Sequence, residues 1–164
     1  MVQDYKDLLS AFHAHGVRYL IVGGYAVIYH AQPRFTKDID LFIKADSRNA
    51  QAVYAALAAF GAPLQGIEPE DFVRRGSFFR FGRDPYGFDI LPDIPGVDFE
   101  EIWERRVEGV IDPKSGLKAY FISANDLIQS KLAAGRPQDI ADAESIRKAA
   151  EAQLPRPAEP SETE

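Results

Sequence analysis

The sequence predicts an α+β (mixed α/β) domain: a central mixed sheet flanked by helices, with a helical segment at the carboxy-terminal end. Three observations carry this reading. Short β-branched and aromatic runs such as VRYLIV (Val17 to Val22) and GFDIL (Gly87 to Leu91) are interspersed with segments of helical apolar spacing. Helical patterns stand at both ends of the patterned sequence, enclosing the strands. Glycine or proline marks many of the junctions. At 164 residues the chain fits one domain of common size, able to bury roughly 70% of its unfolded surface without staples.

Asp4 to His15 reads as a first helix, with Leu8, Leu9, Phe12 and Tyr5 on one apolar face and Gly16 as a stop. Val17 to Val22 suits a buried strand, broken by Gly23-Gly24, after which YAVIYHAQ forms a short helix ended near Pro33. Asp38 to Lys44 alternates, with Ile39, Leu41 and Ile43 on one side and Asp38, Asp40 and Phe42 on the other. Ser47 to Phe60 is Ala-rich and in helical register, capped by Asp46 or Ser47 and ended by Gly61. Pro63 to Gly76 is less regular, with one or two helical turns over Glu68 to Arg75. Ser77 to Phe81 and Gly87 to Leu91 are expected as strands joined by the turn-rich GRDPY. Phe99 to Arg105 forms a short helix, and Arg106 to Ile111 and Leu117 to Ile122 a hairpin across DPKSG. Two helices, Ser123 to Ala134 and Pro137 to Ala150, flank Gly135-Arg136, with Ser123 and Asp126 forming a partial capping box. These elements divide into a core over 1–122, a helical segment over 123–150 packed on it, and an acidic, Pro-rich tail over 151–164 expected to be disordered.

The chain has no cysteine, which removes disulfides and thiolate metal sites and leaves oxygen and imidazole as ligands. No apolar run approaches the roughly 18 residues of a membrane span, and the acid-bearing amino terminus does not read as a signal peptide. A cytoplasmic protein with no membrane partner is the expectation. The net charge of −6 argues against nucleic-acid binding by bulk charge.

Two aspartates interrupt the apolar run FTKDIDLFIK. Residues i and i+2 of a strand share a face, with Cα atoms about 6.5 Å apart, so Asp38 and Asp40 converge on one point. Two ionised carboxylates this close repel, and a divalent cation such as Mg²⁺, bound by one or two carboxylates together with phosphate oxygens and water, removes the conflict. A D-x-D alone reads more readily as an edge strand with both aspartates in water, and three neighbouring features change that reading. Gly23-Gly24 ends a strand and opens a helix, which suits a phosphate. Arg34 and Lys37 precede the pair and can meet phosphate oxygens. Asp89, set between Phe88 and Ile90, offers a third carboxylate if its strand is a neighbour; Asp93, near the end of that strand, competes for the position. Three carboxylates can hold two metal ions about 3.5–4 Å apart for in-line phosphoryl chemistry.

The run VGGYAVIYHAQPRFTKDIDLF, with Gly-Gly, thirteen intervening residues and Asp-x-Asp, resembles the polymerase-beta-like nucleotidyltransferase superfamily, and Phe88-Asp89-Ile90 fits its third aspartate. The resemblance implies that Gly23 and Gly24 hold a nucleoside triphosphate, that Asp38 and Asp40 bind Mg²⁺ (two ions in all), and that Asp89 binds metal and activates an acceptor hydroxyl. ISANDLIQSKLAAGRPQDIADAESI resembles the following segment of small prokaryotic members, including the abortive-infection toxins of type IV toxin–antitoxin systems. Lys131, a phosphate ligand, and Asp139 or Asp142 correspond to a Lys and an Asp of that group. An RNA, protein or small-molecule acceptor and an antitoxin partner are what this likeness implies; a catalytically silent nucleotide-binding or interaction module is the alternative. The chain is shorter than typical toxins of the group.

His13, His15 and His30 are too scattered for a metal triad, with His13 and His15 expected at a solvated helix end. Phe78, Phe79 and Phe81 interleave with Arg80 and Arg83; this reads as a strand with one core face rather than a nucleic-acid surface. Trp103, Ile102 and Phe99 read as core.

Overall fold

The apolar stripe Tyr5, Leu8, Leu9 and Phe12 is fully buried along the first helix, α1 (Gln3–Ala14). The computed structural model describes residues 1–83 and 86–153, with Arg83 described by its backbone alone. After α1 come β1 (Tyr19–Val22), α2 (Gly23–His30), β2 (Asp38–Ile43) and α3 (Ser47–Phe60). A 3-10 turn (Pro69–Val73), β3 (Phe79–Arg83), β4 (Tyr86–Leu91) and α4 (Phe99–Trp103) follow. The described chain then forms β5 (Val107–Asp112), β6 (Leu117–Phe121), α5 (Ala124–Ala134) and α6 (Pro137–Ala152).

The six strands form one mixed sheet in the order β3-β4-β2-β1-β6-β5. β1 runs antiparallel to β2 and parallel to β6, while β2 and β4 are parallel. Every residue of β1 is buried, as a central strand covered on both faces requires. α1 and α3 pack together behind the sheet, where Phe60 of α3 meets Phe88. α2, α5 and α6 gather on the opposite face, towards which the alternation of β2 and β4 sends Asp38, Asp40 and Asp89.

Local chemistry accounts for the boundaries. Asp46 caps α3 by accepting the Asn49 N–H at 2.7 Å, and Gly61 ends it in the left-handed conformation, φ 95°. The Ser123 hydroxyl accepts the Asp126 N–H at 3.1 Å at the start of α5. Several boundaries differ from expectation by one or two residues, and two have a clear local cause. β3 lies two residues further along than predicted, because its ladder with β4 runs from Phe79↔Ile90 to Arg83↔Tyr86. Gly82, at φ 94°, makes this possible: a side chain there would press on the Tyr86 carbonyl. Gly82, Arg83 and Tyr86 of the predicted GRDPY loop thus belong to strands, and its residues 84–85 lie outside the described residues. α6 also continues to Ala152, since Glu151 and Ala152 favour helix; most of the expected tail, 154–164, lies outside the described residues.

Buried under the carboxylate strands, the Tyr5 hydroxyl lies 2.9 Å from the Lys37 carbonyl and 2.6 Å from that of Gly87. One α1 side chain thus ties the entrances of β2 and β4 together, and burial raises its hydroxyl pKa to about 12.

Candidate active site

Strand register assembles the carboxylates. Asp40 of β2 stands directly opposite Asp89 of β4, and Asp38 opposite Gly87. At a strand spacing of about 4.8 Å, the pleat puts Asp38, Asp40 and Asp89 on one face. Gly87 leaves room there, since a Cβ would lie 3.1 Å from Asp38 Oδ1. Asp93 stands apart: it is exposed and accepts the Gly76 N–H at 2.9 Å.

Gly23 and Gly24 open α2 beside this cluster. Gly23 has φ 67°, and an added side chain would collide with the Asp40 carboxylate. At Gly24 a Cβ would come within 2.6 Å of Thr36 Oγ1 and 3.2 Å of Arg34 Nη2. The pair therefore lets the backbone N–H end of a helix approach the carboxylates closely.

A second charged group closes the cleft from the carboxy-terminal helices. Asp142, almost fully buried, accepts Arg34 Nη1 at 2.9 and 3.2 Å, Gln138 Nε2 at 2.9 Å and Lys131 Nζ at 3.1 Å. Asp139, equally buried, accepts Arg136 Nε at 2.7 Å and lies 3.4 Å from Lys131 Nζ. Burial pushes the Asp139 carboxyl up, but Arg136 and Lys131 together hold it below the usual range. Lys131 and Asp139 are therefore not the exposed surface pair that a bland reading of two helices suggests. Gly23, Gly24, Arg34, Lys37 and Lys131 share with the three aspartates a cleft of ≈590 Å³, of the size taken by small-molecule ligands.

Arg80 is the residue that sequence reasoning missed. On β3 it faces Asp89 in register and binds it as a fork, Nε to Oδ1 at 2.9 Å and Nη2 to Oδ2 at 3.1 Å. Its Nη2 also lies 3.2 Å from Asp38 Oδ2. The signal was the F-R-F alternation, which turns Phe81 into the core and Arg80 to the other face. Phe78 lies outside the strand and is exposed at the cleft rather than in the core.

Asp40 has no ion-pair partner among the described residues. Burial first, then the charges of Asp89 and Asp38, raise its pKa to about 7, with Lys131 opposing. Among the described residues no three His, Asp or Glu side chains enclose a formed ion position. The donor chemistry nonetheless suits a hard divalent cation: oxygen ligands throughout, with one half-buried carboxylate, Asp40, short of positive charge.

The histidines lie elsewhere. His30 Nε2 pairs with the Ile122 carbonyl at 2.6 Å, away from the cleft. His13, expected in solvent, is half-buried, stacked on Tyr19 and 2.7 Å from its hydroxyl; burial lowers its pKa. The residue preceding it, Phe12, faces the core, and His13 packs on the Tyr19–Tyr120 pair, while His15 at the helix end is exposed as expected. Trp103 packs on Phe99 as expected and also receives the Arg106 guanidinium, 3.9 Å from its ring centre.

A family model described as a nucleotidyltransferase of unknown function (DUF6036) matches residues 2–155. The chain belongs to this nucleotidyltransferase family. No curated protein matches it. Among solved structures, the lincosamide antibiotic adenylyltransferase LnuA with lincomycin bound superposes with a TM-score of 0.53 at 16% identity, covering 91% of this chain and 98% of that one. That similarity extends the nucleotidyltransferase fold over most of the chain. As a nucleotidyltransferase, the enzyme uses a nucleoside triphosphate and an acceptor.

Proposed function

We propose that this nucleotidyltransferase moves an NMP group from an NTP to an acceptor hydroxyl with the aid of Mg²⁺. The observation that carries the reading is the convergence of Asp38, Asp40 and Asp89 beside the Gly23-Gly24 helix end. The Gly23 and Gly24 N–H groups receive the triphosphate, favoured by the amino-terminal end of α2. Arg34 and Lys131 offset phosphate charge from the α6 side of the cleft, with Asp139 and Asp142 fixing their positions, and Lys37 is a further cation near the carboxylates. Asp38, Asp40 and Asp89 are the side chains that hold Mg²⁺, and three carboxylates suffice for two ions when phosphate oxygens and water complete the coordination.

Bound there, the metal supplies positive charge against the phosphates and lowers the barrier to forming the acceptor alkoxide. The acceptor oxygen attacks the α-phosphorus in line, its proton passes to an Asp89 oxygen, and the bond to the bridging oxygen breaks as pyrophosphate leaves.

The acceptor is a hydroxyl on RNA, protein or a small molecule. LnuA, which shares the fold, is an antibiotic adenylyltransferase with lincomycin bound, and a net charge of −6 weighs against a long polyanion; both favour the small-molecule class. No helix among the described residues is long and apolar enough to cross a membrane, and dependence on an NTP favours a cytoplasmic setting. The test is transfer of label from α-labelled NTPs, with Mg²⁺, to total RNA, protein and small-molecule extracts. Wild type labels one fraction, and Asp38→Ala and Asp40→Ala do not; equal labelling by the variants, or none by wild type, overturns the reading. Label in RNA or protein, together with growth arrest on expression of wild type alone, supports the toxin role and an antitoxin partner instead.

A further inference from the structure

The sheet leaves Arg80 in a position that the proposed chemistry does not use. β3 is an edge strand, and the Arg80 side chain is 62% exposed although its guanidinium bonds two carboxylates, Asp89 and Asp38. Both are side chains assigned above to metal binding, and the inference rests on that assignment. The fork spans Asp89 fully and reaches Asp38 as well. A metal ion on the same oxygens would face the guanidinium across a few ångströms, so the two positive charges repel and compete for Asp38 and Asp89.

We infer that Arg80 is an internal stand-in for the metal: it holds Asp38 and Asp89 while the site is empty, and swings onto the triphosphate when metal and nucleotide arrive. Three features support the swing. The long side chain is anchored only through β3, at the rim of the cleft, and is mostly solvated, and the buried Asp89 that it would release is a carboxylate assigned to the metal. The cleft it borders also holds Gly23, Gly24 and Lys131, which places phosphate within the same space. Planar guanidinium groups bind phosphate as readily as carboxylate, in the same two-point geometry. Arg34 and Arg136 bond the buried Asp142 and Asp139 instead, so neither of them bridges the carboxylate cluster. Arg80 is thus a positioning residue that keeps the acidic cluster assembled, and then a ligand for the nucleotide.

The test is calorimetric titration of the full chain with Mn²⁺ alone, and then with Mn²⁺ plus a non-hydrolysable ATP analogue. Wild type is compared with Arg80→Gln and Arg80→Lys. Removing the competing charge tightens Mn²⁺ binding by Arg80→Gln about tenfold, while losing the phosphate contact weakens binding of the Mn²⁺–nucleotide complex about tenfold. Arg80→Lys, which keeps the charge without the fork, falls between the two in both titrations. Without metal, Arg80→Gln melts below wild type, and Mn²⁺ raises its melting temperature more than it raises that of wild type. Equal or weaker Mn²⁺ binding by Arg80→Gln overturns the inference, as does unchanged nucleotide binding. If wild type binds Mn²⁺ and only the difference between variants is missing, the assignment of the carboxylates survives and the stand-in role does not. If neither protein binds Mn²⁺, that assignment falls and the inference falls with it.

Discussion

Replacing Asp40 by Asn should stabilise the metal-free protein at neutral pH. In the folded chain, burial and the facing Asp89 and Asp38 charges raise the Asp40 pKa from 3.8 to about 7. A folded pKa above the unfolded one means that the folded state binds the extra proton between the two values. Stability contributed by that proton is full below the unfolded pKa, declines as pH rises, and is lost above the folded pKa. At about 1.4 kcal/mol per pKa unit, the shift corresponds to an upper figure of about 4 kcal/mol. Partial exposure of Asp40 and relaxation around it reduce this. The advantage of Asp40→Asn over wild type should therefore grow by about 2–3 kcal/mol between about pH 4.5 and pH 8, roughly 5–10 °C in melting temperature for a chain of this size. The assay is thermal unfolding of both proteins across that range in chelator, read as the difference between them so that other titrating groups cancel. Added Mg²⁺ should narrow the gap, because only wild type offers the ion this carboxylate. A difference that stays flat with pH, or an Asn variant less stable than wild type at about pH 8, would refute the reasoning.

Three further outcomes follow from particular contacts. Gly24→Ala should weaken nucleotide binding and lower stability by about 1–3 kcal/mol in calorimetry and melts, because the new Cβ would lie 2.6 Å from Thr36 Oγ1 and 2.8 Å from Thr36 Cβ. Asp142→Ala leaves Arg34 without its buried counter-charge and takes from Lys131 the nearer of its two buried carboxylates, Asp139 being the other, and urea unfolding should report a loss of about 3–5 kcal/mol. Leu8→Ala removes a fully buried side chain behind the sheet, costing about 2–5 kcal/mol; nucleotide affinity measured on the folded protein should not change.

Much of the candidate site was legible because its residues break the pattern of their own elements. Aspartates within apolar strands, and a Gly-Gly at a strand-to-helix junction, have no packing reason to be there, so Asp38, Asp40, Asp89, Gly23 and Gly24 stand out before any contact is known. Helices with a clean apolar stripe, such as α1, were equally plain. Arg80 was hidden for the opposite reason: an arginine alternating with core phenylalanines is what any half-buried strand contains. Its role depends on which strand pairs with β4 and in what register, and that is set by contacts between separate segments. The same holds for Arg34 and Asp142, 108 residues apart in sequence, and for Tyr5, whose place on an apolar stripe concealed the hydroxyl that ties β2 to β4. Boundaries failed where glycine permitted more than its turn propensity implied, as at Gly82, where the ladder continues through a residue expected in a loop.

The central claim is that Asp38, Asp40 and Asp89 form a metal and triphosphate site with the Gly23-Gly24 loop. Its most direct test is anomalous scattering from a crystal of the protein with Mn²⁺ and a non-hydrolysable nucleotide. The expected result is an anomalous peak among the three carboxylates, phosphate density against the Gly23 and Gly24 N–H groups, and Arg80 withdrawn from Asp38 and Asp89. Nucleotide bound elsewhere, or a cleft in which Arg80 still bridges the two carboxylates and no metal peak appears, would contradict it.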